Sequence, residues 1–375
     1  MKKTIKAIIR RLKRLLPLRK IILMESVPDF SDNTKALYDE LIRRGVNKKY
    51  KIVWLVGSSC KSKPIQKNVK TVSLNSKMAT YYNWVAKCIV SCNKFLVSIR
   101  KGQFSIYLSH GTGIKSTRDY YNVPKSIDCC LVAGEGVKEL MSYEFKYDVS
   151  KMVALGFPRN DVLCKNLALP KGLFEKEYDK VIVWYPTYRQ HKGAASSASQ
   201  DTLPIINNAE KAKLLNDCLI EKNVLIILKP HFAQDVSYVK DLGLSNIRFI
   251  DDNFFVKNNI SSYEFVGGCD ALISDYSSIY YDYTLCDKPI AVVWEDIEEY
   301  KQKPGLVENY EYYLQGAEKV YTIQEMLGFV DRVVNGEDVL KSERQYIRDL
   351  CNYSNDGQSA KRVADFILEK INYKV

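Results

Sequence analysis

The stretch ALISDYSSIYYDYTLCDKPIAVVW, residues 271–294, begins and ends with a short apolar segment typical of a buried strand. Between the two segments lies the polar cluster Ser-Asp-Tyr-Ser-Ser, residues 274–278, where the first strand would give way to a helix. The first backbone N–H groups of a helix have no partner within it, so a junction of this kind can bind an anion. The stretch therefore predicts an α/β fold with a polar site at a strand end.

The same pattern of apolar strands and helices extends over the rest of the chain. Two series of strands are separated by LALPKGLFEKEYDK, residues 167–180. The first series comprises IILMES, YKIVWLVG, VKTVSL, KCIVSC, FSIYLSHG, DCCLVAG and KMVALG; the second comprises VIVWYPT, NVLIILKPH, NIRFID, CDALIS and PIAVVW. Strands this rich in Val, Ile and Leu indicate parallel sheets covered on both faces. We expect two doubly wound, Rossmann-like domains, residues 20–170 and 171–375, facing a central crevice, with the last helix packing back across the halves.

Basic residues are concentrated at the N-terminus. The chain has 375 residues and a net charge of +12, and residues 1–20 contain nine lysines and arginines and no acid. A nucleic-acid enzyme would more often spread its basic residues over a groove, so no nucleic-acid partner is expected. Two interpretations remain open for an amphipathic helix over residues 1–19. It lies on an anionic membrane surface, which the absence of acids favours, or it packs on the body with its charges in water.

The ten cysteines show neither a CxxC pair nor a Cys/His spacing typical of a metal site. Several lie in apolar segments such as DCCLVAG, residues 128–134, where cysteine behaves as a small core residue. This usage predicts a reduced, cytosolic protein. No apolar run reaches the ~18 residues that a membrane span needs, and we recognise no signal peptide.

Polar groups follow five of the predicted strands, at residues 109–115, 156–161, 185–189, 229–231 and 274–278. Ligands of doubly wound sheets bind at the carboxyl ends of the strands, so these groups are expected to form an anion site with a proton acceptor. A lone histidine is more often structural than catalytic. Of the three histidines, however, His110 and His231 both lie in this set, one in each half, which favours a functional role, whereas His191 is expected to be exposed.

The serines of the opening stretch predict a phosphate site. If a helix starts near Ser277, the hydroxyls of Ser277 and Ser278 and the first N–H groups converge, and the helix dipole adds to their hydrogen bonds. Asp282 would lie one turn along the same face. The alternative is that the serines only cap the helix, which is worth ~1 kcal/mol. A helix cap does not require two serines together with Asp275, so this cluster favours the phosphate site.

In order and spacing, these motifs resemble the CDP-glycerol glycerophosphotransferase family, the teichoic-acid primases and polymerases of Gram-positive bacteria. The resemblance runs through ESVPDFSDNTKALYDEL, HGTGIKS, GFPRNDVL, YPTYR, KPH, ISDYSSIYYDY and DGQSAKRVADFI. It implies a GT-B-like architecture, with an acceptor domain over residues 20–170 and a CDP-donor domain over residues 171–375. It also implies an enzyme peripheral to the cytoplasmic face of the cell membrane.

The resemblance implies a reaction and a role for each site residue. A hydroxyl of a lipid-linked glycan or polyol-phosphate acceptor would attack the β-phosphate of CDP-glycerol and release CMP, in synthesis of a teichoic-acid-like or capsular polymer. His110 would be the general base, a task that suits a group of near-neutral pKa, and His231 would touch the phosphate or the leaving group. The residues implied to bind the donor and its phosphates are Ser109, Gly111, Thr112, Gly113, Arg159, Pro186, Thr187, Ser277, Ser278 and Asp282.

Two departures from the family pattern concern selectivity. Gly113 stands where the family often has proline, and KPGLVENYEYYLQG, residues 303–316, replaces its usual Arg-Gly-Phe segment. Three alternatives stay open: a CDP-ribitol or other alditol phosphotransferase, a GT-B glycosyltransferase that uses a nucleotide sugar, and a non-catalytic membrane- or RNA-binding protein. No acidic cluster clearly supplies a metal, so the sequence assigns no metal ligand or cofactor and leaves a divalent cation open.

Overall fold

The computed structural model describes residues 16–57, 60, 65–119, 121–187, 203–230, 236–302 and 305–373. They form two compact units, each built on one parallel sheet. The first unit contains the described residues up to Gly111, Thr117–Asp161 and those from Asn352 onward; the second contains Thr112–Ser116 and Val162–Cys351. The basic helix predicted over residues 1–19 lies almost wholly outside the described residues, and Arg19 already begins the first strand.

The two units contain strands and helices with the following bounds. The strands are β1 (Arg19–Glu25), β2 (Lys51–Val56), β3 (Val69–Ser73), β4 (Ala86–Ser91), β5 (Phe104–Tyr107), β6 (Cys129–Val132), β7 (Met152–Ala154), β8 (Lys180–Trp184), β9 (Val224–Leu228), β10 (Ile247–Phe249), β11 (Ala271–Ser274), β12 (Ile290–Val293) and β13 (Glu318–Val320). The helices are α1 (Asp32–Arg43), α2 (Lys77–Val85), α3 (Lys138–Phe145), α4 (Ala209–Glu221), α5 (Ser237–Lys240), α6 (Asp252–Lys257), α7 (Ser262–Gly268), α8 (Ile279–Tyr283), α9 (Ile297–Gln302), α10 (Tyr310–Tyr313), α11 (Ile323–Asn335), α12 (Lys341–Cys351) and α13 (Ser359–Lys370).

The first unit has a parallel sheet of strand order β3-β2-β1-β4-β5-β6-β7. Its interior strand β1 is apolar on both faces from Ile21 to Met24. Ile22 and Met24 point into one core, and Ile21 and Leu23 point into the core on the opposite face. A strand covered on both sides has no polar face to alternate with, which explains its continuous apolar run.

The second unit has a parallel sheet of order β10-β9-β8-β11-β12-β13, with a large core on one face and buried residues such as Val183 and Leu272 on the other. The prediction of two doubly wound parallel sheets is therefore confirmed. The edge strand β13 was not predicted, because its three residues include Glu318 and Lys319 and carry no apolar run.

The terminal helix α13 belongs to the first unit. Val363 and Ile367 on its buried face join the core beneath α1. Its start is held by Asp161, whose carboxylate accepts the N–H groups of Ser359 at 2.7 Å and Ala360 at 2.8 Å. Two of the motifs that carried the family resemblance, GFPRNDVL and DGQSAKRVADFI, therefore contact each other.

Strand order reverses once in each sheet, between β1 and β4 in the first unit and between β8 and β11 in the second. Connections leave such a point in opposite directions and open a crevice at the carboxyl ends of the two strands. In the first unit the segments concerned follow Glu25 and Ser91; in the second they follow Trp184 and Ser274. Each sheet therefore presents its own ligand-binding edge, and in the second unit that edge includes the predicted site residues Pro186, Thr187, Ser277 and Ser278.

Candidate active site

His110 lies just beyond the carboxyl end of β5, next to the strand reversal of the first unit. The preceding residue, Ser109, has a φ of +55°, in the left-handed region that few residues other than glycine adopt. The Ser109 carbonyl accepts a hydrogen bond from Asn33 Nδ2 at 3.0 Å and another from Cys92 Sγ at 2.8 Å. The segments after β1, β4 and β5 therefore meet at His110.

The His110 side chain is exposed to solvent, but the protein around its ring lowers the pKa of the imidazole below the usual range. Partial loss of hydration is the main cause, since it disfavours the charged ring. The Asp32 carboxylate opposes this effect, the Arg159 guanidinium adds to it, and a hydrogen bond with the Cys92 backbone opposes it. A lowered pKa favours the neutral imidazole, which is the form that a general base requires.

Arg159 follows β7 and forms an ion pair with Asp32, with 2.6 Å between Nη1 and Oδ1. Its backbone N–H donates to Asn33 Oδ1 at 3.2 Å, and its guanidinium lies 5.7 Å from the Phe157 ring centroid. Arg159 was implied by the family resemblance to bind the donor or its phosphates. Because Asp32 already neutralises part of the Arg159 charge, the pair presents less positive charge to a ligand than an isolated arginine would.

The second unit contains a cavity of about 480 Å³ at its own strand reversal. Its lining combines basic, hydroxyl and apolar groups: Lys115, Tyr185, Pro186, Thr187, Lys229, Pro230, Asp252, Ser262, Tyr263, Val266, Ser277 and Ile279. Pro186, Thr187 and Ser277 were predicted site residues, and the fold brings them together here. Lys229 is held against Asp252 at 3.1 Å, and its ammonium lies 5.9 Å from the Tyr185 ring centroid.

Asp275 joins the two segments that form one wall of this cavity. Its carboxylate is 1% exposed and accepts two hydrogen bonds from Thr187, from the backbone N–H at 2.7 Å and from Oγ1 at 2.5 Å. The backbone continues the link, since the Tyr185 N–H donates to the Ile273 carbonyl at 2.9 Å. The Thr187 hydroxyl, predicted to lie near the nucleotide, therefore donates to Asp275 and fixes the wall.

The serines of the opening stretch do not cap a long helix. Helix α8 has only five residues, and Ser278 precedes it in a helical conformation without a side-chain cap. The predicted dipole contribution is therefore small, because few peptide dipoles are aligned behind this end. What Ser277 contributes to the cavity is its hydroxyl, and among the described residues that line the cavity Ser278 does not appear.

Asp282 is 1% exposed, and its Oδ2 accepts a hydrogen bond from the Tyr263 hydroxyl at 2.6 Å. Tyr263, which sequence analysis missed, is the side chain of this pair that lines the cavity. The tyrosine belongs to α7, far from the opening stretch in sequence, and no local pattern marks it.

The HGTG motif spans both units, with His110 and Gly111 in the first and Thr112 and Gly113 in the second. Thr112 is 2% exposed, and its hydroxyl has no hydrogen-bond partner among the described residues. Lys115 forms an antiparallel bridge with Leu306, beside a hydrogen bond of 2.8 Å from the Val307 N–H to the Ile114 carbonyl. Leu306 and Val307 belong to the segment that departs from the family pattern, and they therefore support the backbone that carries Lys115.

Some predicted features cannot be placed. His231 and His191 lie outside the described residues. Within the described part of the chain, no three His, Cys, Asp or Glu side chains are grouped to hold a metal ion. In the same part of the chain, no helix is both long enough and apolar enough to cross a membrane.

The family model of CDP-glycerol:poly(glycerophosphate) glycerophosphotransferases matches residues 8–369. The chain belongs to this family. The resemblance drawn from the motifs is confirmed, and with it the expectation of an enzyme of the phosphotransferase class.

Members of the glycerophosphotransferase family resemble the chain at low identity. The teichoic acid glycerol-phosphate primase of Bacillus subtilis is 22% identical over 90% of this chain and 89% of its own length. The teichoic acid poly(ribitol-phosphate) polymerase of Bacillus spizizenii is 23% identical over 95% of this chain, which spans only 57% of that polymerase. The solved structure of the wall teichoic acid polymerase TagF covers 97% of this chain and 93% of that chain, with a TM-score of 0.72 at 20% identity. That likeness supports the GT-B-type fold.

Several residues that shape this site were missed from sequence. Besides Asp32 and Asn33, the buried Glu25 carboxylate accepts the N–H groups of Asn93 at 3.2 Å and Lys94 at 2.9 Å, and so fixes the segment after β4. The only signal was their presence in ESVPDFSDN, which the family resemblance included without a role. Glu25 and Asn33 are buried and hold the backbone of the site, whereas the partly buried Asp32 pairs with Arg159.

Proposed function

We propose that this glycerophosphotransferase transfers glycerol phosphate from CDP-glycerol to a hydroxyl of a membrane-linked acceptor, with release of CMP. The product would be a teichoic-acid-like or capsular polymer. The observation that carries the proposal is His110, an accessible histidine of lowered pKa at the edge of the sheet where ligands bind. Family membership supports the reaction class.

In this reaction the acceptor oxygen attacks the β-phosphorus and its proton passes to the neutral His110 imidazole. The bond from the β-phosphorus to the oxygen that bridges the two phosphates breaks, and CMP leaves with the electron pair. A phosphodiester forms between acceptor and glycerol, and the imidazolium returns its proton to solvent. The Asp32 carboxylate favours the imidazolium formed on the way, since it raises the pKa of the ring.

The second unit supplies the proposed donor site. A cavity of about 480 Å³ falls in the range of volumes of small-molecule sites. Lys115 and Lys229 would offset the charge of the diphosphate, and the Ser277 hydroxyl would donate a hydrogen bond to it. Asp252, the partner of Lys229, is largely exposed, so its ion pair is screened and gives way at little cost when an anion binds. The proposed role of His231 at the phosphate or leaving group rests on the family resemblance alone.

A CDP-ribitol donor is the second candidate, because a ribitol-phosphate polymerase and a glycerol-phosphate primase resemble the chain about equally. The deciding experiment measures nucleotide release from CDP-glycerol, CDP-ribitol and UDP-sugars in the presence of a lipid-linked acceptor. CMP release that is fastest with CDP-glycerol supports the proposal. If CMP release is fastest with CDP-ribitol, CDP-ribitol replaces CDP-glycerol as the proposed donor. UDP release with sugar transfer would overturn the reaction class.

The proposed location is the cytoplasmic face of the cell membrane, held there peripherally. The nine basic residues among residues 1–20, with no acid, support this proposal. Basic residues near an anionic leaflet contribute ~1 kcal/mol each. A lipid-linked acceptor would be reached at the same surface.

A further inference from the structure

The residue before the proposed base is held in an unfavourable conformation. Ser109 has a φ of +55° and is 2% exposed. Left-handed backbone at a residue other than glycine persists only where the surrounding structure imposes it, and such positions are concentrated at functional sites. Two buried side chains hydrogen-bond to the Ser109 carbonyl, Asn33 from the start of α1 and Cys92 from the segment after β4.

Asn33 has a single amide orientation that satisfies its neighbours. Its Nδ2 faces the carbonyls of Ser109 at 3.0 Å and Leu108 at 3.5 Å, and its Oδ1 accepts the N–H of Arg159 at 3.2 Å. A flipped amide would set oxygen against two carbonyls and an NH₂ group against an N–H. One side chain therefore joins the backbone before His110 to the backbone of Arg159.

We propose that Asn33 is a positioning residue for His110, which imposes the left-handed turn at Ser109 and so directs the imidazole toward the acceptor. This inference rests on the proposed function, in which His110 is the base. Asn33 is 0% exposed and hydrogen-bonds to the backbone of Leu108, Ser109 and Arg159, so its proposed effect passes through the backbone. Cys92 assists it, and contributes less because a thiol is a weak donor.

Loss of Asn33 should affect turnover more than donor binding. Without the amide, Ser109 is free to return to an ordinary conformation, and the imidazole is displaced. A displacement of about 1 Å of a reacting group costs on the order of 10²-fold in rate. We therefore expect Asn33→Ala to lower kcat by about 10²-fold, while the dissociation constant of CDP-glycerol, whose proposed site is the cavity of the second unit, changes by less than about threefold.

A glycine at position 109 separates positioning from general stabilisation. Glycine adopts positive φ about as readily as negative φ, so it reduces the need for Asn33. The double variant Asn33→Ala with Ser109→Gly should recover about tenfold or more of the kcat lost in Asn33→Ala, with Ser109→Gly alone as the reference of the cycle. A purely structural role for Asn33 predicts no such recovery, since glycine restores none of its hydrogen bonds.

The matched control is Asn246→Ala in the second unit. Asn246 is equally buried, and its Nδ2 donates to the Leu219 carbonyl at 3.1 Å and the Val224 carbonyl at 2.7 Å. The Asn246→Ala variant should lower the melting temperature as Asn33→Ala does, and it should leave kcat within about threefold of wild type. If Asn33→Ala does not fold, Cys92→Ala can be compared with and without Ser109→Gly in the same way. The expected loss of kcat is then smaller.

The outcomes distinguish the two proposals. Both proposals are supported if His110→Ala loses turnover and if Ser109→Gly restores part of the kcat that Asn33→Ala loses. If His110→Ala abolishes turnover but Asn33→Ala matches the Asn246→Ala control, or glycine gives no recovery, the positioning role is refuted and the base survives. If His110→Ala keeps turnover within about tenfold, His110 is not the base and the positioning of a base by Asn33 falls with it.

Discussion

Replacement of Asp275 tests whether one buried carboxylate builds the wall of the donor cavity. Asp275 accepts two hydrogen bonds from Thr187 at 2.7 Å and 2.5 Å and is 1% exposed. A hydrogen bond to a charged group contributes ~1.5–3 kcal/mol. Asp275→Ala should therefore lower the free energy of unfolding of the second unit by about 3–6 kcal/mol, and Thr187→Val, which removes only the hydroxyl, by about half of that.

The effect on donor binding follows from the position of Thr187. Because Pro186 and Thr187 line the cavity, release of their segment should raise the dissociation constant of CDP-glycerol at least tenfold, which corresponds to ~1.4 kcal/mol. Calorimetric titration with CDP-glycerol measures the affinity, and urea denaturation measures stability. If Asp275→Ala does not fold, the isosteric Asp275→Asn, which keeps one acceptor oxygen, provides a milder version of the same test.

The control is Asp270→Ala. Asp270 accepts the Val181 N–H at 2.8 Å at the amino end of the same pair of strands, away from the cavity wall. It should lower stability and leave donor affinity unchanged. In a double-mutant cycle, Asp275→Ala and Thr187→Val should be non-additive by about 1.5–3 kcal/mol, because both remove the hydroxyl bond. This account of the wall is refuted if the stability losses of Asp275→Ala and Thr187→Val are additive. It is also refuted if Asp275→Ala and Asp270→Ala bind the donor with equal affinity.

The remaining predictions concern the base, the phosphate contact and the membrane. His110→Ala should lower kcat by about 10²–10⁴-fold with donor affinity retained; a loss below tenfold contradicts the assignment. Because the pKa of His110 is lowered, the acidic limb of kcat/KM should lie below ~6.5, and Asp32→Asn, which removes a carboxylate that raises this pKa, should move the limb to still lower pH; an upward move would be inconsistent. Ser277→Ala should weaken CDP-glycerol binding about tenfold and Ser278→Ala, outside the described cavity lining, much less; equal effects would argue against the cavity as the phosphate site. Deletion of residues 2–16 should abolish salt-sensitive binding to anionic vesicles and retain activity on a soluble acceptor; undiminished vesicle binding would place the membrane surface elsewhere.

The fold class was predictable because buried parallel strands have a distinctive composition. Strands covered on both faces contain short apolar runs, VLIIL in β9 and IILM in β1. The same signal fails at the edge of a sheet, where β13 has three residues and two of them are charged. A strand of that kind is formed by pairing with β12, and no local preference announces it.

The opening stretch shows where local inference about the site ends. Its serines were correctly placed at a strand end, but the helix behind them is only five residues long and Ser278 forms no side-chain cap. Asp275, given no role of its own, makes the hydrogen bonds that hold Thr187 in the cavity wall. Helix length and the partner of a buried carboxylate both depend on packing, which the 24 residues of the stretch do not encode alone.

By itself, the sequence determined most of the segments that form strands, that these make two doubly wound sheets, and that polar residues such as His110 follow the strands. Only the tertiary structure decided what surrounds those residues. The Ser109 carbonyl before His110 accepts hydrogen bonds from Asn33 and Cys92, which lie 76 and 17 positions away in the chain. Composition and periodicity report contacts between near neighbours, whereas hydrogen bonds between separate loops form only when the sheet brings the carboxyl ends of its strands together.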